Sequence, residues 1–176
     1  MEADRTPALE AVVEWLDSRQ VSYDVVEHPE TFAAVDEARA TGVDPNAMAK
    51  TLALHDRPGY RLAVIPASRQ LDLARAREAL GASSHLRLAT EAEMARDFSS
   101  FEVGALPPLG PMLPAPEVVD VHLLYVDRLL CAAGDHRHAL AVDPRDLLRV
   151  VEPRVADICQ HRDSTHDTDF SDLPRV

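Results

Sequence analysis

One lysine, Lys50, stands among strong bases that are otherwise all arginine, in the run Asn46-Ala47-Met48-Ala49-Lys50-Thr51-Leu52-Ala53-Leu54. Arginine is planar and keeps its charge, whereas lysine is a compact point charge on a thin stem whose pKa moves with burial. A site that needs a narrow cation beside a small reacting group has a use for lysine at the head of an apolar strand. The structural alternative is a side chain that snorkels from the strand end with its ammonium in water.

Two other stretches carry possible chemistry. Phe101 to Pro116 holds five prolines and two glycines, which exclude a regular element. The stretch is nevertheless apolar, so it is expected to lie against the body of the domain, and long ordered loops of this kind often carry function. Gly134-Asp135-His136-Arg137 reads as a turn, with His138 opening a strand. His136 and His138 are two apart and would share a strand face. A metal site there needs a third ligand, to which nothing in the sequence points. There is no P-loop, GxGxxG, GxSxG or HExxH motif. Cys131 and Cys159 have no metal-ligand spacing, and Cys131 lies in an apolar run, so reduced thiols in a cytoplasmic chain are the expectation.

The composition bounds the partners. With 176 residues and 46% hydrophobic content, one domain with a sizeable core is expected over 1–160, followed by a polar acidic tail over 161–176. No apolar run is long enough for a membrane span, and the acidic N-terminus does not resemble a secretory signal. A formal net charge of −12 opposes broad polyanion binding, which excludes DNA as the expected partner. Between Lys50 and Arg87, however, bases outnumber acids, so a local basic face or an ordinary solvated helix face is possible.

These residues must be positioned by a mixed set of elements. Thr6-Pro7 caps a helix with Leu9, Val12, Val13 and Leu16 as its stripe. A strand follows over Tyr23–His28, then a helix from Thr31 to Thr41 that stops at Gly42. The Lys50 strand and Tyr60–Ile65 form a hairpin around His55–Gly59. Ser68 is expected to cap the next helix, which ends at Gly81. Leu86–Leu88 is a short strand, and Thr90 with Glu93 forms a capping box. Val118–Leu123 and Leu129–Ala132 read as strands around a turn at Asp127-Arg128. His138–Val142 is a strand, Asp143 caps a helix to Val151, and Val155–Ile158 forms one last turn. Without strict βαβ alternation, the pattern predicts a single α+β domain with a mixed, mostly antiparallel sheet and helices packed around it.

The order of several short motifs resembles the YbaK / prolyl-tRNA synthetase editing-domain family of aminoacyl-tRNA deacylases. The matching pieces are Glu27-His28-Pro29, Ala49-Lys50-Thr51-Leu52, Ala63-Val64-Ile65-Pro66-Ala67 with Leu71-Asp72-Leu73, and Ala79-Leu80-Gly81. They continue with Gly104-Ala105-Leu106-Pro107-Pro108 as the family's GxxxP loop, Ala133-Gly134, Asp146-Leu147 and Val155-Ala156-Asp157-Ile158. Together they cover nearly everything from Tyr23 to Cys159.

The resemblance implies hydrolysis of the ester between a wrong amino acid and the 3′ end of a tRNA, without cofactor or metal. It implies Lys50 and Gly104 as the catalytic groups, with substrate contacts at His28, Ala105, Leu106, Pro107, Pro108, Gly134 and His136. A ribose hydroxyl or a water would attack the activated ester, and loop N–H groups would face the developing oxyanion. Arg57, Arg61 and Arg69 are candidates for a basic rim that grips the single-stranded tRNA end, with a synthetase or elongation factor as a possible further partner. Ala34 stands where many relatives place a capping hydroxyl. Ala132 and Ala139 lie near positions that are polar in cysteinyl-type members, which directs the expectation to another small amino acid. A non-catalytic module on the same fold, binding a small molecule or a protein, and a metal hydrolase using His136 and His138 are the alternatives.

Overall fold

The computed structural model describes residues 4–161. Apart from His161, the expected tail lies outside the described residues. The elements in order are α1 (Pro7–Ser18), β1 (Tyr23–Glu27), α2 (Ala34–Thr41), β2 (Ala49–Asp56), β3 (Gly59–Pro66), α3 (Leu73–Leu80) and β4 (Arg87–Leu88). They continue with α4 (Glu91–Asp97), β5 (Glu117–Asp120), β6 (Leu129–Ala132), β7 (His138–Val142), α5 (Pro144–Val151) and β8 (Arg154–Ala156).

The α+β architecture is the expected one, but its strands divide into two sheets. A five-stranded sheet has the order β4-β2-β3-β5-β8, and a three-stranded antiparallel sheet has the order β1-β7-β6. In the larger sheet β2 pairs antiparallel with β3 and β4, while β3–β5 and β5–β8 are parallel. The largest core cluster joins the two sheets. In it Leu9, Val12 and Leu16 of α1 meet Val64, Val119, Leu129 and Leu140. A second cluster packs Ala76 and Leu80 of α3 on Leu54, Ile65 and Val118. Burying side chains of this size contributes about 1.5–3 kcal/mol each.

Local chemistry sets most boundaries. The Thr6 hydroxyl accepts the Leu9 N–H at 3.2 Å, and Thr90 and Glu93 exchange backbone bonds as a capping box. Four expectations are corrected. The α3 cap is Asp72, whose carboxylate accepts the Arg75 N–H at 3.1 Å, while the Ser68 hydroxyl donates to Asn46 Oδ1 at 2.6 Å. The strand expected to reach Leu123 ends at Asp120, whose carboxylate accepts the His122 N–H at 3.0 Å and starts a 3-10 segment over Val121–Tyr125. β5 and β6 consequently lie in different sheets. Finally, Val155 belongs to β8, a strand parallel to β5. The helix expected from Thr31 begins only at Ala34, and Ala33 offers no side-chain cap. No described helix is long and apolar enough to cross a membrane.

Candidate active site

Strand β4 pairs with β2 only at Leu54 and His55, so the first half of β2 has no β4 partner on its outer edge. A cavity of about 410 Å³ lies there, and Ala49 through Ala53 all line it. The opposite walls come from Thr31–Val35 and Glu37 around the start of α2, from Gly104–Leu106, and from Asp135 and His136. Leu88, Ala89 and Met94 close one end. The volume suits a small ligand.

Lys50 faces Ile65 across the hairpin and is half-buried, and its Nζ lies 3.4 Å from the Arg69 carbonyl. Burial lowers the pKa of its ammonium below the ordinary value. The amine therefore has one weak protein contact and room for another.

The loop after α4 is tied to the turn before β7. The Gly134 N–H donates to the Ala105 carbonyl at 3.0 Å, and the Glu102 N–H donates to the Gly134 carbonyl at 2.9 Å. A Cβ on Gly134 would sit 2.9 Å from Phe101 and 3.0 Å from Ala8, and the residue has φ +96°. Only glycine fits this crossing of two loops. His136 is fixed from the same turn. Its Nε2 donates to the Val103 carbonyl at 2.8 Å, its N–H donates to Glu102 Oε2 at 2.8 Å, and its ring centroid lies 4.9 Å from that of Phe32. The bond to a carbonyl sets the Nε2–H form and leaves Nδ1 as the acceptor in the neutral ring. Gly104, at φ +86°, presents its open side to His136 Cε1, 3.7 Å from where a Cβ would stand. The Gly104 and Leu106 N–H groups find no acceptor among the described residues.

The acidic wall was not legible in the sequence. Glu37 lines the cavity and is buried, with Oε1 3.1 Å from His28 Nε2. Burial raises the Glu37 carboxyl above its ordinary value, and the neighbouring His28 only partly offsets this. His28 Nδ1 lies 2.7 Å from the Pro29 carbonyl, an acceptor, so the Glu37 contact needs one proton shared across it. Asp135 lies beside the same wall. Burial pushes its carboxyl up, but bonds from the Thr6 hydroxyl, the Arg137 N–H and the His138 ring outweigh this and hold it below the ordinary range. In the sequence Glu37 reads as one more acid in the first turn of a polar helix; only its partner, nine residues upstream, reveals that it faces inward.

The expected site residues thus separate into groups. Lys50, Gly104, Ala105, Leu106 and His136 line one cavity. His28 stands behind Glu37, and Gly134 sits behind the loop against Phe101 and Ala8. Pro107 and Pro108 are buried outside the lining and shape the loop from within. The three arginines form no common rim. Arg57 lies in the turn of the β2–β3 hairpin and Arg61 is the third residue of β3, whereas Arg69 follows the other end, about 20 Å along the strands from Arg57. No arginine lines the cavity among the described residues. His136 and His138 do not converge on a metal, because His138 Nδ1 bonds Asp135 at 2.9 Å while His136 bonds Val103. Asp120, His122 and Asp157 bring one ligand atom each within 4.8 Å of one another outside the cavity. There His122 Nδ1 bonds Asp120 Oδ1 at 2.6 Å.

Comparison with known proteins decides the class. A family model described as the aminoacyl-tRNA editing domain matches residues 28–150. The chain belongs to that family. The match spans every element that lines the cavity, from the residues before α2 to the turn before β7. A crystal structure of a candidate trans-editing enzyme for prolyl-tRNA synthetase is 28% identical with a TM-score of 0.78, covering 90% of this chain and 100% of that one. A hypothetical protein is 27% identical with a TM-score of 0.76, covering 85% and 99%. A scaffold protein from computational epitope grafting is 27% identical with a TM-score of 0.78, covering 89% and 99%. This editing domain accordingly has a role in tRNA editing, on the fold its motifs implied.

Proposed function

We propose that this editing domain acts in trans as an aminoacyl-tRNA deacylase, hydrolysing the ester of a small, wrongly attached amino acid. The observation that carries the reading is that Lys50 and the Gly104–Leu106 segment, 54 or more positions apart in the chain, line a single cavity. The ester carbonyl would lie against the loop, where the Gly104 and Leu106 N–H groups, unpaired among the described residues, would face the oxygen that gains charge. Lys50 would hold an oxygen of the ester or of the adjoining nucleotide. The α-ammonium of the amino acid would face Glu37 and Asp135. His136 Nδ1, the acceptor left in the neutral ring, would orient an attacking water or ribose hydroxyl. The alanines at 34, 49, 53, 67 and 132 leave the acyl side chain little to grip, which favours a small residue. This is where an editing site is needed, since binding alone separates small apolar side chains by only about 10–200-fold.

A panel of mischarged tRNAs tests the reading. Lys50→Met should lower kcat/KM on the preferred substrate by about 10–10²-fold, the effect of losing one charged hydrogen bond of about 1.5–3 kcal/mol. Equal rates for wild type and variant, or saturable binding of every charged tRNA without turnover, would leave only a binding module on the same fold.

A further inference from the structure

Beyond the cavity, and resting on the deacylase reading, we infer that a neighbouring polar hollow seats the phosphodiester linking the terminal adenosine to the rest of the tRNA. The hollow measures about 680 Å³ and is lined by Asn46, Ser68, Arg69, Gln70, Gln160 and His161. Its lining is continuous in sequence with that of the cavity: Ala67 lines the cavity and Ser68 lines the hollow. Lys50 stands at the seam, with Nζ 3.4 Å from the carbonyl of Arg69. A strand that places its last nucleotide in the cavity would pass its preceding backbone along this seam.

The chemistry of the lining fits a polyanion. In a chain with 30 carboxylate residues against 18 strong bases, none of the six lining residues is acidic. Ser68 donates to Asn46 Oδ1, which leaves the Asn46 amide N–H groups as donors. The floor is held by the Gln160 N–H on the Gln70 carbonyl at 2.8 Å and by Gln160 Nε2 on the Leu71 carbonyl at 3.2 Å. Carboxylates flank the hollow without lining it: Asp44 accepts the Asn46 N–H at 2.9 Å, Asp72 lies beside Arg75 at 3.4 Å, and Asp157 Oδ2 meets His161 at 2.8 Å and Arg75 at 3.8 Å while its Oδ1 is buried without a partner among the described residues. Arg69 is the fully charged group in the hollow, and a guanidinium matches phosphate geometry. Of the three arginines considered from sequence, the structure places only this one beside the seam.

The test compares two substrates carrying the same amino acid: full-length aminoacyl-tRNA, which has the phosphodiester, and 2′(3′)-O-aminoacyl-adenosine, which lacks it. Arg69→Ala removes the guanidinium but keeps the carbonyl that Lys50 touches. The ratio of kcat/KM for tRNA over aminoacyl-adenosine should fall about tenfold, chiefly through KM, and the salt dependence should flatten by about 0.7 in log–log slope for one lost phosphate contact. An unchanged ratio, with both substrates slowed alike or neither affected, overturns the inference and leaves the deacylase reading intact. Fluorescence anisotropy of a labelled RNA ending in CCA separates the reverse case. Tight binding weakened by Arg69→Ala, without hydrolysis of either substrate, sinks the deacylase reading and keeps the hollow. Equal binding by wild type and variant sinks the hollow.

Discussion

Two glycines, one lining the cavity and one in the turn behind it, have similar backbone angles and opposite surroundings, so replacing each by alanine separates scaffold from site. Gly134 has φ +96° and Gly104 has φ +86°. Forcing an L side chain into that region costs about 1–3 kcal/mol at either position. The new methyl group then meets different neighbours. At Gly134 it lies 2.9 Å from Phe101 and 3.0 Å from Ala8, inside normal contact, where overpacking adds about 1–3 kcal/mol. At Gly104 it meets only His136 Cε1 at 3.7 Å, an ordinary contact. Gly134→Ala is therefore expected to lose about 4 kcal/mol and Gly104→Ala about 2, or roughly 8–16 °C against 4–8 °C in Tm for a chain of this length. Thermal unfolding followed by circular dichroism reads the difference. Deacylation measured well below both transitions should rank the pair in reverse, because only the Gly104 methyl group enters the space beside His136. Equal Tm values, or a greater loss for Gly104→Ala, would refute the assignment of Gly134 to loop packing.

Two further outcomes follow from buried groups. Glu117 is buried, and burial pushes its carboxyl well above 4.5, with the Gly110 N–H bond at 3.1 Å only partly opposing this. A carboxyl whose folded value is raised holds its proton more firmly in the folded chain. Its contribution to stability is thus complete below the unfolded value and is lost as pH rises towards the folded one. Glu117→Gln keeps an acceptor for Gly110 and cannot ionise, so its Tm should exceed that of wild type near neutral pH and converge with it below pH 4.5; a gap independent of pH would contradict this. Burial also pushes the Cys159 thiol up to about 12 and the Cys131 thiol higher still. Both cysteines should resist a disulfide reagent in the folded protein and react together on unfolding, whereas rapid titration of either in native buffer would disprove the burial.

How much of this was legible in the sequence depends on the range of the forces concerned. Thr6, Thr90 with Glu93, and Gly42 set helix ends through bonds spanning three or four residues, so their types and spacing suffice. The hairpin likewise follows from two apolar runs flanking the turn residues at His55–Gly59. The helix after β3 was misplaced because Ser68 and Asp72 are both good caps, and the choice fell to tertiary contacts: Ser68 is taken by Asn46, 22 positions away. β8 was missed because three half-exposed residues have no readable period, and their strand exists only because β5 offers an open edge. Lys50, Gly104 and His136 were legible through motif order. Glu37 was not, since nothing local distinguishes a buried helix acid from a solvated one. The arginines failed as a group because charge pattern carries no information about which end of a hairpin a side chain occupies.

The arrangement of charge around the cavity also bears on how an acidic protein can select one orientation of a charged substrate. A free amino-acyl ester is bipolar: its α-ammonium is positive and its nucleotide side carries phosphate. The walls carry acid and base apart, with the Asp135 carboxylate beside the Glu37–His28 pair, which shares one proton, and Lys50 at the seam that leads to Arg69. Turning the substrate end for end would set ammonium against ammonium and phosphate against carboxylate. At about 4 Å and an effective dielectric near 20, each such pair is worth about 4 kcal/mol before desolvation, so the reversed pose is disfavoured even if much of that is screened. The overall charge of −12 acts over longer distances, where the screening length of about 8 Å at physiological salt removes most of it. On the proposed deacylase function, short-range polarity would therefore decide the pose, and the screened net charge would add little to it.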